Sequence, residues 1–187
     1  MKLKSIIAVV LAAVICTAAL CSCGKSGGPV LALSSIEGKP GDIVNVSLSV
    51  SGADGKWSSC GIHILYDNRL ECIASEADPQ TPSYEKGGAI ADMTASVAVI
   101  WNKDLLAEIE KDNKFSVFFA AAGDGNVGKD GDIAAFSFKI PDDAEVGTVY
   151  ETGFFYRDGD AFANADNDAD FQDYAFSHWK GGKITVV

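Results

Sequence analysis

Side-chain oxygens recur at alternate positions in Asn164-x-Asp166-x-Asp168-x-Asp170, the ligand type with which loops hold calcium. The sixth position lacks the glycine such loops need and the twelfth is Ala175, so the segment reads as a solvated acidic turn. His63 and His178 are the only histidines. Neither belongs to a set of cysteines and histidines large enough to ligate zinc, which argues against that metal. No Gly-x-Ser-x-Gly, P-loop or Gly-x-Gly-x-x-Gly occurs, and nothing among the carboxylates singles out a glycosidase pair. The chain is therefore read as a non-enzyme with no metal site of its own. Trp57, Trp101 and Trp179 leave sugar stacking open, and with it an alternative reading as a carbohydrate-binding module.

The net charge is −11 over 187 residues, a balance that opposes binding to nucleic acid or to anionic lipid. Met1 to Leu20 has Lys2 and Lys4 and then an apolar run, the pattern of a secretory signal. Leu20-Cys21-Ser22-Cys23 resembles a bacterial lipobox. The expected organisation is a signal peptide over 1–22, a tether over 23–28 lipidated at Cys23, and one domain over 29–187. Cleavage would remove 22 residues, two of them lysines and none acidic, leaving 165 at net charge −13. Membrane attachment is then expected only through lipid, with the protein extracellular and anchored at the cell surface. Cys60 and Cys72 remain, as a disulfide or as small buried residues.

The chemistry must be positioned by strands. Cys60, Ile62, Ile64 and Tyr66 share one parity and Gly61, His63 and Leu65 the other, and successive strand residues point to opposite faces. The first set is expected to build core and the second a flat, weakly polar outer face, with His63 as a contact residue. Further strands are expected at Val30–Ile36, Ile43–Val50, Leu70–Ala74, Ser96–Trp101, Phe115–Ala122, Asp132–Ile140, Gly147–Tyr156 and Gly182–Val187. One short helix is predicted over 104–111, and Asp158–Asp173 as a long acidic loop. About nine short strands with one helix in a connection indicate an all-β antiparallel sandwich.

The ordered set Pro40-Gly41-Asp42, Val44-x-Val46, Gly61-Ile62-x-Ile64-x-Tyr66-Asp67 with Leu70-Glu71, Phe118-Phe119-Ala120, Gly128-x-x-Gly131-x-Ile133, Ala161-Phe162-Ala163-Asn164 and Gly182-Lys183-Ile184-Thr185-Val186 resembles a cohesin domain over roughly Pro29 to Val187. The resemblance implies a nine-stranded jelly roll that docks a dockerin module on one flat sheet face. It implies contacts at Ser59, Gly61, His63 and Leu65, at Val99 and Trp101, and at Phe118 and Ala120. Gly61 stands where the family would lead one to expect an acidic residue. The implied partner is a dockerin-bearing protein, an enzyme or another scaffold protein, which brings its own calcium. This chain would be a cofactor-free monomer.

Overall fold

Strict alternation of apolar and polar residues over Ile43–Ser51 makes a strand with Val46, Leu48 and Val50 buried and the serines between them less so. The same alternation in Gly131–Lys139 buries Phe136 and Phe138. These two strands pair antiparallel along almost their whole length, with a bulge at Leu48/Ser49, and form the centre of one sheet. The computed structural model describes residues 27–93, 98–101 and 113–187. Among them are twelve strands, in chain order β1 (Val30–Leu33), β2 (Ser35–Gly38), β3 (Ile43–Ser51), β4 (Ser59–Asp67), β5 (Glu71–Cys72), β6 (Tyr84–Lys86), β7 (Ala98–Trp101), β8 (Lys114–Ala122), β9 (Gly131–Lys139), β10 (Val149–Phe155), β11 (Ala161–Ala163) and β12 (Gly182–Val186). A helix, α1, spans Ala169–Ser177.

The strands form two sheets. One has the order β1-β3-β9-β5, with β6 also on β9. The other has the order β2-β12-β10-β4-β8-β7, with β11 also on β4. The two inner faces meet in a single core in which Tyr66 contacts Phe138 at 5.0 Å between centroids, and Phe119 meets Phe136 edge-on at 5.9 Å. This is an all-β sandwich of the expected class, with differences in detail.

The single first strand expected over Val30–Ile36 is broken at Ser34. Its hydroxyl accepts the Ser47 N–H and its own N–H donates to the Ser47 carbonyl, so the chain leaves one sheet there and enters the other. There β2 runs parallel to β12, whereas the other strand pairs among the described residues are antiparallel and one isolated bridge, Ala32 to Lys180, is parallel. Cys60 and Cys72 lie in the consecutive strands β4 and β5, joined by a tight turn but belonging to different sheets, and are not bonded to each other. The reversal between them is set by Asp67, whose carboxylate takes the Arg69 N–H and guanidinium.

The expected acidic loop over Asp158–Asp173 is corrected to β11 and α1. Asn164 Oδ1 accepts the Asp168 N–H at 2.9 Å, and Asp168 Oδ1 accepts the Asp170 N–H at 3.0 Å as the helix N-cap. Oxygens that spaced like calcium ligands thus satisfy the orphan N–H groups of a helix start. Phe171 and Ala175, one turn apart, supply the buried side, with Phe171 stacked on Phe162 at 5.8 Å. The helix predicted over 104–111 lies outside the described residues. Among the described residues no helix is long and apolar enough to cross a membrane.

Candidate docking face

The core face of β4 carries Cys60, Ile62, Ile64 and Tyr66, all buried. Its other face carries Ser59, Gly61, His63 and Leu65, and register determines their neighbours. Residues directly opposite in an antiparallel ladder share a face. His63 is flanked by Phe155 of β10 and Phe118 of β8. Gly61 is flanked by Ala161 of β11 and Ala120 of β8, Leu65 by Gly153 and Ser116, and Ser59 by Ala163 and Ala122. In β7 the residues opposite Phe118 and Ala120 are Ile100 and Ala98. The outer face of β10-β4-β8-β7 is thus a row of aromatic and aliphatic residues beside a row of very small ones.

The structure brings six of the eight nominated residues together on this face: Ser59, Gly61, His63, Leu65, Phe118 and Ala120. Val99 and Trp101 sit in register opposite Phe119 and Val117, which are the buried, core-facing residues of β8. The β7 residues that share the register of the outer row are Ala98 and Ile100. Phe155, half-buried, ends β10 in register with His63, and Tyr156, 50% exposed, follows it; sequence reasoning nominates neither. Phe155 lies on outward parity in β10, a signal that the alternation of Val149–Phe155 does contain.

His63 departs from the expected solvent-facing contact, being only 5% exposed. Its Nδ1 lies 2.7 Å from Oδ1 of Asp160, itself 5% exposed, and its ring lies 4.7 Å from that of Phe118. Phe118 in turn occupies the space over Gly61, where a Cβ would stand 3.2 Å from its Cζ. The solvent-facing part of the patch includes Ser59, Leu65, Phe118, Ala120 and Phe155, each half-buried. At one end of β4, burial pushes the Asp67 carboxyl up, but the Arg69 guanidinium and amide outweigh it and hold it below the ordinary carboxylate value. On the core side, burial pushes the Cys60 thiol up to about 12, against the pull of a hydrogen bond with the Ala121 backbone.

Two of the three tryptophans behind the sugar-stacking alternative have described side chains, and both are packed inward. Trp57 is fully buried, stacked on Phe162 at 4.9 Å with Nε1 donating to the Lys129 carbonyl. Trp179 stacks on Phe154 at 5.3 Å, partly buried against the core. Among the described residues no group of His, Cys, Asp or Glu is disposed to hold a metal ion.

No curated protein sequence matches the chain. Among solved structures it is similar to a type III cohesin module from the cellulosomal ScaE cell-surface anchoring scaffoldin of Ruminococcus flavefaciens, with 26% identity, TM-score 0.72, and 85% of this chain and 87% of that one covered. It shares its fold with the sixth cohesin of Acetivibrio cellulolyticus scaffoldin B, solved with a Cel5 dockerin mutant (22% identity, TM-score 0.61, coverage 86% and 99%). It also shares it with the cohesin of the Coh-OlpA–Doc918 complex from Clostridium thermocellum (16% identity, TM-score 0.59, coverage 86% and 99%). The family model of the cohesin domain, a non-catalytic protein–protein interaction module, matches residues 29–169. An aromatic outer sheet face on a jelly-roll sandwich agrees with that match across three quarters of the sequence, and the chain belongs to the cohesin family.

Proposed function

We propose that this chain is a dockerin receptor of a cellulosome-type assembly, and that the outer face of β10-β4-β8-β7 is where the dockerin docks. The observation that carries this reading is the cross-strand row Phe155–His63–Phe118 on a cohesin fold. It gives the patch an aromatic centre in which half-buried Phe155 and Phe118 flank the buried His63, a composition from which interface hot spots are built. Leu65 and Phe118 supply the apolar contact, and Ser59 and the rim of the face supply polar contacts. The chain acts as a monomer and holds its partner by binding alone. The calcium needed for docking belongs to the dockerin.

The reading extends to location. Lipid carried on Cys23 would hold the domain outside the cell at the surface. Because a single acyl chain binds membranes only marginally, such an anchor requires two or more. The attached partner is then a dockerin-bearing enzyme or another scaffold protein.

Calorimetric titration of the full-length protein, solubilised in detergent, with a panel of dockerins tests the docking reading. Binding in calcium that disappears with chelator, and that weakens in Leu65→Asp, is the expected result. Absence of binding to every dockerin, with binding to a polysaccharide, would replace this reading with the carbohydrate-binding one.

A further inference from the structure

β10 and β11 both pair with β4 along the same edge. The pairing stops at Phe155↔His63 and resumes at Ala161↔Gly61, so residues 156 to 160 all stand opposite Ile62 alone. The chain makes an excursion at the middle of the docking face. Its turn is closed by the Asp160 N–H donating to the Arg157 carbonyl at 2.9 Å, with Gly159 at φ +99°, where side chains are disfavoured. Tyr156 leaves the strand 50% exposed and packs edge-on against Phe176 of α1 at 5.0 Å. Asp160 returns to the sheet and is buried.

Both carboxylate oxygens of Asp160 are used. Oδ2 accepts the Arg157 N–H at 3.0 Å, which fixes the excursion's turn. Oδ1 meets His63 Nδ1 at 2.7 Å. An ionised carboxylate only accepts, so His63 carries its proton on Nδ1. The imidazole so oriented lies against the Phe118 ring, which covers Gly61. The pair sets a buried carboxylate against an imidazole N–H, and a buried charge is costly unless its hydrogen bonds are made. What the pair supplies is a fixed orientation.

We propose that Asp160 is a positioning residue of the docking face: through its two carboxylate oxygens it latches the Tyr156–Asp160 excursion to β4 and, by way of His63, holds Phe118 in a preformed aromatic plate. The proposal rests on the docking reading for its purpose, but its geometry is testable without a partner. A preformed plate lowers the ordering cost of association, and its loss appears mainly in the dissociation rate.

The test uses nitrogen-detected NMR of the His63 ring in the full-length protein, in wild type, Asp160→Asn and Asp160→Ala. Wild type gives a protonated Nδ1. Asparagine has one oxygen, which stays with the Arg157 N–H, so its NH2 turns to His63 and the imidazole moves its proton to Nε2. In Asp160→Ala the Phe118 ring resonances broaden or shift. An unchanged Nδ1 signal in Asp160→Asn, together with unchanged Phe118 resonances in Asp160→Ala, overturns the proposal. For a dockerin that binds wild type, Asp160→Ala is expected to speed dissociation by about tenfold, roughly one lost hydrogen bond. The corresponding change at Glu76 (Glu76→Ala), exposed in the loop after β5 of the other sheet, is expected to leave it unchanged. Equal dissociation from wild type and Asp160→Ala overturns the positioning role. If no dockerin binds wild type, the docking reading fails by itself and the NMR result alone decides the latch.

Discussion

The Phe118 ring takes the space that a side chain at residue 61 would fill, with its Cζ 3.2 Å from where the Cβ would stand. Glycine at 61 is therefore a condition of the aromatic plate. A larger residue must push the ring away from His63, on the outer face where it can move. Gly61→Val is expected to lower the melting temperature by about 2–4 °C, of the order of 1 kcal/mol for a domain of this size, and to weaken dockerin binding at least ~10-fold. Scanning calorimetry and titration calorimetry on the same preparation check this. Undiminished affinity would remove Gly61 and Phe118 from the docking surface.

Leu65 and Phe118 test the face from two sides. Both are half-buried on β4 and β8 with their backbones locked in the central ladder, so truncation leaves the fold intact. Phe118→Ala is expected to cost about 2 kcal/mol or more of binding energy, the range of an interface hot spot. Leu65→Asp places an unpaired carboxylate where the partner would desolvate it, and is expected to abolish measurable binding. Circular dichroism matching wild type in both variants, with binding lost, is the predicted combination.

Asp67 and Arg69 give the fold a pH-dependent element. The Asp67 side chain is 10% exposed and receives three hydrogen bonds from Arg69, whose guanidinium also lies 4.7 Å from the Tyr150 ring centroid. Burial works against the charged carboxylate, and Arg69 more than offsets it, so the folded pKa is depressed. A depressed carboxylate contributes stability that is present above the unfolded value, about 3.9, and is lost as the pH falls through the folded one. Arg69→Ala is expected to destabilise the protein by roughly 1–3 kcal/mol at pH 7, leaving a buried carboxylate short of donors. The gap to wild type narrows below about pH 4 as Asp67 protonates in both. Urea unfolding at pH 7 and pH 3 measures it. A gap that is constant with pH would mean that Arg69 acts through Tyr150 packing alone.

The parity of Ile43–Ser51 and Asp132–Ile140 was legible in the sequence because each strand has one buried and one wetter face, and period-2 alternation records that directly, whereas in Cys60–Tyr66 only the apolar inward set was legible, Gly61 and His63 on the other face being buried as well. The resemblance to cohesins then placed the face on β4 and β8. Features that depend on pairing at a distance were not legible. His63 and Asp160 are 97 residues apart, and nothing near either one announces the contact, so a residue read as an exposed contact is in fact enclosed. The β7 residues Val99 and Trp101 follow from family position alone, and register pairs them with Phe119 and Val117 of β8, a pairing that no local pattern in the sequence announces. Ser34 ends one strand and starts another through a bond to Ser47, and local propensity carries no trace of that switch.

The helix α1 was hidden by its own acidity. Asp166, Asp168, Asp170 and Asp173 suggested a solvated loop, yet a cap at Asp168 followed by Asp170 in the first turn is a favourable helix start, since the negative charges meet the positive end of the helix dipole. Asp168→Ala removes the acceptor for the Asp170 N–H and is expected to cost about 1 kcal/mol of unfolding free energy. The far end of the helix, where Phe176 supports Tyr156, keeps its packing on Trp179, so dockerin affinity should stay within about twofold of wild type, a fraction of a kcal/mol. Millimolar calcium should move the melting temperature of the protein by less than about 1 °C, because appreciable affinity for the native state would raise it by mass action and the Asn164 and Asp168 oxygens are already engaged by backbone N–H groups. A rise of several degrees with calcium, abolished by Asp168→Ala, would instead make the segment an ion site and the cap its ligand.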